Sequence, residues 1–211
     1  MAYNDFTLEA LKRQFNLRTD EGSDLFGQVP AVPISDLLRE TLNESVPLAL
    51  DISTEKARSE LIIAPVLMET RRQFGRQVSL FSGVEFNVDL EQGLRGVCDF
   101  LLSLSPEQLA IEAPVVAVVE AKNENIKQGI VQCAAEMVAS QRFNRERDNP
   151  VQSVFGAVTT GSIWKFLRLT DFVVSVDNTE YHISQVERIV GILVAMLREA
   201  GAQGTAPHSA S

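Results

Sequence analysis

Five consecutive aliphatic residues, Val115-Val-Ala-Val-Val119, give way abruptly to Glu120-Ala121-Lys122. A strand that is apolar on both faces belongs in the middle of a sheet covered on both sides by helices. This run therefore narrows the chain to the α/β class. Side chains alternate across a strand, so Glu120 and Lys122 share one face while Ala121 points to the other. A carboxylate and an ammonium are fixed side by side where a buried strand leaves the core. The length, 211 residues, fits one domain of this kind.

The surrounding pattern divides into three parts. Residues 1–52 form an N-terminal helical arm packed on the core. Its first helix spans Phe6 to Phe15 with Thr7 as cap, and its second is capped by Ser35 or Asp36 and runs to about Asn43. Residues 53–200 form the α/β domain. A long helix runs from Thr54 to Phe74 with Pro65 inside it, where a kink or break is expected. Strand patterns follow over Val78–Phe81, Glu85–Val88, Arg95–Leu104 and Val115–Lys122. After a helix over Ile126–Asn144 come strands Ser153–Thr160 and Ile163–Leu169, an edge strand Phe172–Val176 and a closing helix Ser184–Ala200. Residues 201–211 are small and polar and read as a disordered tail. The fold class is thus a central mixed β-sheet flanked by helices, an α/β/α core.

Two further acids stand in apolar surroundings. Asp99 lies alone in Gly96-Val-Cys-Asp-Phe-Leu-Leu102, and an acid buried there needs a cation or a hydrogen-bond donor. If that strand pairs with the one ending at Glu120, then Asp99, Glu120 and Lys122 converge. Glu60, in the apolar part of the long helix, shares a face with Ala64, Leu67 and Arg71 and is expected at the same patch. Glu55 and Glu69 compete with it for any role on that helix. Hard carboxylate oxygens of this kind hold Mg²⁺ with several waters retained. With one lysine beside them, they form the donor set that metal-assisted phosphodiester hydrolysis requires.

Composition sets limits. A net charge of −9 stands against a protein that coats nucleic acid through bulk electrostatics, although a local basic groove is compatible with it. Arg71 and Arg72 at one helix end, Arg142 and Arg145 at another, and Lys165 on a strand are the candidate phosphate contacts; helix-end arginines also serve as partners of the helix dipole. His182 and His208 are far apart, which argues against a histidine-rich zinc centre and a Ser-His-Asp hydrolase. Cys98 and Cys133 sit in apolar segments and read as reduced core thiols. The first residues carry no leader pattern and the apolar runs are too short to span a bilayer, so a cytoplasmic protein with no membrane partner is expected.

Taken in order, these features resemble the PD-(D/E)XK, or restriction-endonuclease-like, nuclease superfamily over about Ser53 to Leu169. The residues that carry the likeness are Ser59-Glu60 with Pro65, Gly96-Val-Cys-Asp99, Glu120-Ala-Lys122, Gln132 and Thr159-Thr-Gly-Ser-Ile-Trp-Lys-Phe166. The last stretch is similar to the nuclease domains of type I restriction R subunits. The resemblance implies a Mg²⁺-dependent site, with Mn²⁺ able to substitute, that cleaves DNA. It makes Asp99, Glu120 and the carbonyl of Ala121 metal ligands, with Glu60 as auxiliary acid. Lys122 becomes the catalytic lysine and Gln132 an accessory residue. A homodimer or a larger restriction-type assembly is compatible with it. Cys98 stands where the superfamily's name has proline, and Glu136 stands where related families often carry an aromatic. Two other classes remain open: a catalytically inactive nuclease-fold subunit for binding or assembly, and a hydrolase of small phosphorylated substrates.

Overall fold

The structure, a computed structural model, describes residues 1–122 and 125–204. Its helices are α1 (Leu8–Phe15), α2 (Asp36–Ile52), α3 (Glu55–Arg58), α4 (Ala64–Arg72), α5 (Ile126–Glu146) and α6 (Val186–Gly204). The strands are β1 (Arg18–Asp20), β2 (Ser79–Glu85), β3 (Val97–Ser103), β4 (Val115–Ala121), β5 (Ser153–Thr159), β6 (Ile163–Thr170), β7 (Val173–Val176) and β8 (Tyr181–His182). They form one mixed sheet in the order β1-β7-β6-β5-β4-β3-β2, with β8 paired to β6. The pairs β1–β7 and β4–β5 are parallel and the others antiparallel. The chain is therefore of the α/β class, a mixed sheet with flanking helices. Among the described residues no helix is long and apolar enough to cross a membrane.

The all-apolar run does what its pattern demands. Every residue of β4 is buried, and so is every residue of β5 beside it. Strand alternation shows which helix covers which face. A Cβ on Gly156 of β5 would meet Cys133 Sγ and Met137 Sδ of α5. On the opposite face, Arg168 of β6 pairs with Glu199 of α6 at 2.8 Å and lies over the ring of Phe155 of β5. Thus α5 and α6 sandwich the sheet. Cys98 and Cys133 are buried free thiols, while Trp164 and Phe166 of β6 are fully buried.

Several elements differ from their sequence patterns. The patterns over Val78–Phe81 and Glu85–Val88 meet in one strand, β2 (Ser79–Glu85), in which Gly83 takes a φ of +61° that a side chain would resist. Phe86 and Val88 carry the ladder on through bonds to Gly96 and Leu94. The expected edge strand, β7, is covered by β1, so the N-terminal segment supplies the sheet's rim. Helix α2 continues past Asn43, through Pro47, to Ile52, held by the buried positions Leu38, Leu42, Ser45 and Ala49. Helix α6 runs on to Gly204, where a tail was expected; residues 205–211 lie outside the described residues.

The break anticipated at Pro65 is a π-helical turn, Ser59–Ile63, between α3 and α4. Proline has no N–H to give the carbonyl one turn back, that of Leu61. Ser45 Oγ of α2 donates to that carbonyl instead, at 2.6 Å. Thr54 caps α3 by accepting from the amide of Ala57. The result is a helical segment wider in its middle than at its ends, whose Arg58 and Ile62 lie against Gly161 in the turn after β5.

Candidate active site

Strands β3 and β4 pair antiparallel with Phe100 opposite Val119, which carries Asp99 to the exit of β4. Asp99 Oδ2 accepts from the backbone amide of Ala121 at 2.8 Å. Lys122 extends the β4–β5 ladder by donating its own amide to Thr159 O at 2.8 Å. Its backbone is thus fixed before its side chain begins. Asparagine 125 then opens α5 as a cap, accepting from the amide of Gln128, and this helix runs back over the same face.

A cleft of about 750 Å³ opens at this point. It is lined by Asp99, Glu120, Lys122 and Gln132, by Asn125 and Gln128 of the helix start, by Glu55, and by Ala2, Tyr3, Asn4, Gly96 and Val97. Tyr3 is pinned by its amide to Arg95 O at 3.0 Å and by its hydroxyl, which donates to Phe86 O. Its ring sits 3.0 Å from where a Cβ of Gly96 would stand, so the first residues form a built wall.

Glu120 is 1% exposed. Its Oε1 accepts from Lys122 Nζ in a close ion pair, and its Oε2 is buried with no hydrogen-bond partner. Burial pushes the Glu120 carboxyl up to about 8, nearby Asp99 adds to the rise, and Lys122 opposes it. Burial alone would lower the Lys122 ammonium, but Glu120 outweighs it and the net displacement is upward. Lys122 Nζ also donates to Gln132 Oε1 at 3.2 Å, and Gln132 Nε2 donates to Glu136 Oε1 at 3.2 Å. Glu136 is fully buried, and burial followed by the charge of Glu120 drives it well above the ordinary carboxylate range. A carboxyl, an ammonium, an amide and a second carboxyl thus run in one hydrogen-bonded line into the protein.

The structure brings Asp99, Glu120, Lys122 and Gln132 together and leaves Glu60 out. Glu60 points to the surface, 61% exposed, and pairs with Lys56 at 2.7 Å. The acid that the helix presents to the cleft is Glu55, whose charge reaches Lys122. Arg58 Nη1 bonds Thr160 O at 2.9 Å and seats the first turn of the helix against the β5–β6 turn. At Glu60, five residues after Glu55 and past the start of the π turn, the side chain points outward. Glu69 is buried elsewhere, accepting from Ser35 and Arg72.

The expected phosphate contacts do not surround the cleft. Arg71 Nε donates to Val78 O, Arg72 pairs with Glu69 and Arg142 pairs with Asp89. Arg145 lines a separate hollow beside Phe172. Lys165 lines a neighbouring groove that meets the cleft at Asn125. Among the described residues Lys122 is the one cation in the cleft lining.

Fit to a divalent ion rests on the donors present. All are hard oxygens; Glu120 Oε2 is a buried acceptor with no donor, and its carboxyl faces that of Glu136. Among the described residues no three Asp, Glu, His or Cys side chains gather tightly enough to hold a metal. Two carboxylates suit an ion that keeps much of its water, as Mg²⁺ does. Residues that sequence reasoning missed are Tyr3, Asn4, Asn125 and Gln128. Gln128 and Gln132, four apart on one helix face, were the available signal. Comparison with family models, curated proteins and solved structures returns no match to this chain.

Proposed function

We propose that this chain is a metal-dependent endonuclease of the restriction-endonuclease-like α/β/α fold, hydrolysing phosphodiester bonds of DNA at this cleft. The observation that carries the reading is the meeting of Asp99, Glu120 and Lys122 at the mouth of a cleft, with no hydrogen-bond donor on Glu120 Oε2. Asp99, Glu120 and the carbonyl of Ala121 would hold Mg²⁺, or Mn²⁺ in its place. When bound, the ion would supply neutralisation of phosphate charge and a more acidic attacking water. Lys122, anchored through its backbone to Thr159, donates toward charge that develops on the phosphoryl oxygens. Gln132 orients the ammonium, and Glu55 lines the cleft as the helix acid.

The test is nicking of supercoiled plasmid in Mg²⁺ or Mn²⁺. Nicking by the wild-type chain that disappears with EDTA and in Lys122→Ala supports the reading. Nicking that survives Lys122→Ala overturns it.

One observation favours a second reading, a catalytically inactive subunit of the same fold that binds or assembles. The net charge is −9, and Arg71, Arg72 and Arg142, expected at a DNA rim, are bonded away from the cleft. A nuclease acting alone usually steers to DNA through positive potential. Absence of nicking together with a stable partner captured equally by wild type and Glu120→Gln would decide for it.

A further inference from the structure

We propose that Glu136 is a positioning residue: through the side-chain amide of Gln132 it fixes the direction in which Lys122 presents its ammonium to the cleft. The inference rests on the nuclease reading for its activity arm. Glu136 lies one helical turn beyond Gln132 on α5 and is fully buried. An acid in such a place costs stability that an apolar side chain of the same volume would not, so packing alone does not account for it.

The chemistry of the intervening amide does. A glutamine has an acceptor end and a donor end, whereas a lysine can only donate. Gln132 Oε1 accepts from Lys122 Nζ at 3.2 Å, and Gln132 Nε2 donates to Glu136 Oε1 at 3.2 Å. Turning the amide over would set an NH₂ against an ammonium and a carbonyl oxygen against a carboxyl oxygen. The lysine end excludes the turned amide, and the Glu136 oxygen holds the other end by accepting from Nε2. Without it, Gln132 can rotate and the lysine loses a fixed partner. Ser140 Oγ bonds the backbone carbonyl of Glu136, while the Glu136 carboxyl meets Gln132 through Oε1 and also faces the Glu120 carboxyl.

The experiment compares Glu136→Met, which keeps length and loses the acceptor, with Glu136→Gln, which keeps an acceptor. Metal-dependent plasmid nicking is measured alone and in a Gln132→Met background. Glu136→Met is expected to lower kcat by roughly 10- to 100-fold, the scale of a misplaced catalytic group, with KM unmoved. Glu136→Gln should recover most of it, and Glu136→Met should add nothing once Gln132 is gone. Equal activity in all variants, or losses that multiply in the double variant, would overturn the proposal. A second readout needs no activity: the side-chain amide resonances of Gln132 in the metal-free protein. They should shift and exchange faster with solvent in Glu136→Met, or in Glu136→Leu if the first does not fold, and resonances unchanged from wild type would also overturn it. Should the wild type cleave nothing, the nuclease reading fails while the amide measurement still decides the positioning.

Discussion

Asp99 Oδ2 accepts a hydrogen bond from the backbone amide of Ala121 at 2.8 Å, so the acid of β3 is anchored by the last residue of β4. This bond holds the carboxylates of Asp99 and Glu120 in register, and it uses an oxygen that an amide side chain would also provide. Asp99→Asn should therefore keep the anchor and the fold, with a change in stability of about 1 kcal/mol or less. It should lose metal-dependent cleavage by at least about 100-fold, since the negative charge is gone. Thermal melting and plasmid nicking on one preparation check both halves. Asp99→Ala, which leaves the Ala121 amide without its partner, should be the less stable of the two.

Glu55 and Glu60 offer a direct comparison. The first lines the cleft, while the second is exposed and paired with Lys56. Glu60→Gln should leave cleavage within about twofold of wild type and stability within about 0.5 kcal/mol, as for an exposed helix pair. Glu55→Gln should lower cleavage by about tenfold or more at unchanged melting temperature. The reverse ranking would return the helix role to Glu60.

The metal-free protein should lose stability as pH rises from about 4.5 to about 8. Burial raises the Glu120 carboxyl from its ordinary 4.5 to about 8, and burial moves Glu136 the same way. Across that interval the folded state holds protons that the unfolded chain has released, and stability then falls with pH. Lys122 does not interfere: its upward displacement adds stability that is lost only above the ordinary lysine range. Melting curves in EDTA should drop by on the order of 5 °C over the interval. Glu120→Gln should shrink the slope, leaving the part due to Glu136. A slope identical to wild type would contradict the assignment to Glu120.

Legibility followed how locally each feature was encoded. The buried strand ending in Glu120-Ala121-Lys122 was readable because a two-sided apolar run admits one place in a sheet. Asp99 was readable because an acid stood alone in such a run. Glu60 was misplaced because ideal helical spacing was carried across Ser59–Ile63, where the structure has a π turn. That turn depends on Ser45 from another helix, which no local window contains. The covering of β7 by β1 was hidden for a similar reason, since Arg18–Asp20 is too short and polar to show a strand pattern. Arg142 was misleading because its partner, Asp89, is distant in sequence, whereas Glu69, the partner of Arg72, stands one turn before it on the same helix.

Ser45 and Pro65 should couple energetically although they do not bond each other. Ser45→Ala leaves the Leu61 carbonyl without the hydroxyl that now serves it, a loss of about 1 kcal/mol for a half-buried acceptor. Pro65→Ala restores an N–H one turn ahead of that carbonyl. The serine substitution should therefore cost less in the Pro65→Ala background, by about 1 kcal/mol in a double-mutant cycle. Simple additivity in chemical denaturation would show that the hydroxyl does not stand in for the missing amide.

Gly129 of α5 sets how closely that helix can approach Lys122. A Cβ built there would lie 2.5 Å from Val158 Cγ1 and 2.9 Å from Lys122 Cγ. In an exposed helix interior, alanine in place of glycine stabilises by about 1 kcal/mol. Here the sign should reverse, because Val158 is buried in β5 and cannot withdraw. Gly129→Ala is expected to destabilise by about 1–3 kcal/mol through overpacking. The more pliable of the two neighbours is the lysine stem, so the strain should also displace the ammonium from Glu120 and Gln132. Cleavage should then fall by about tenfold or more even well below the melting temperature. An active variant that melts higher than wild type would show that α5 can move away from β4 at little cost.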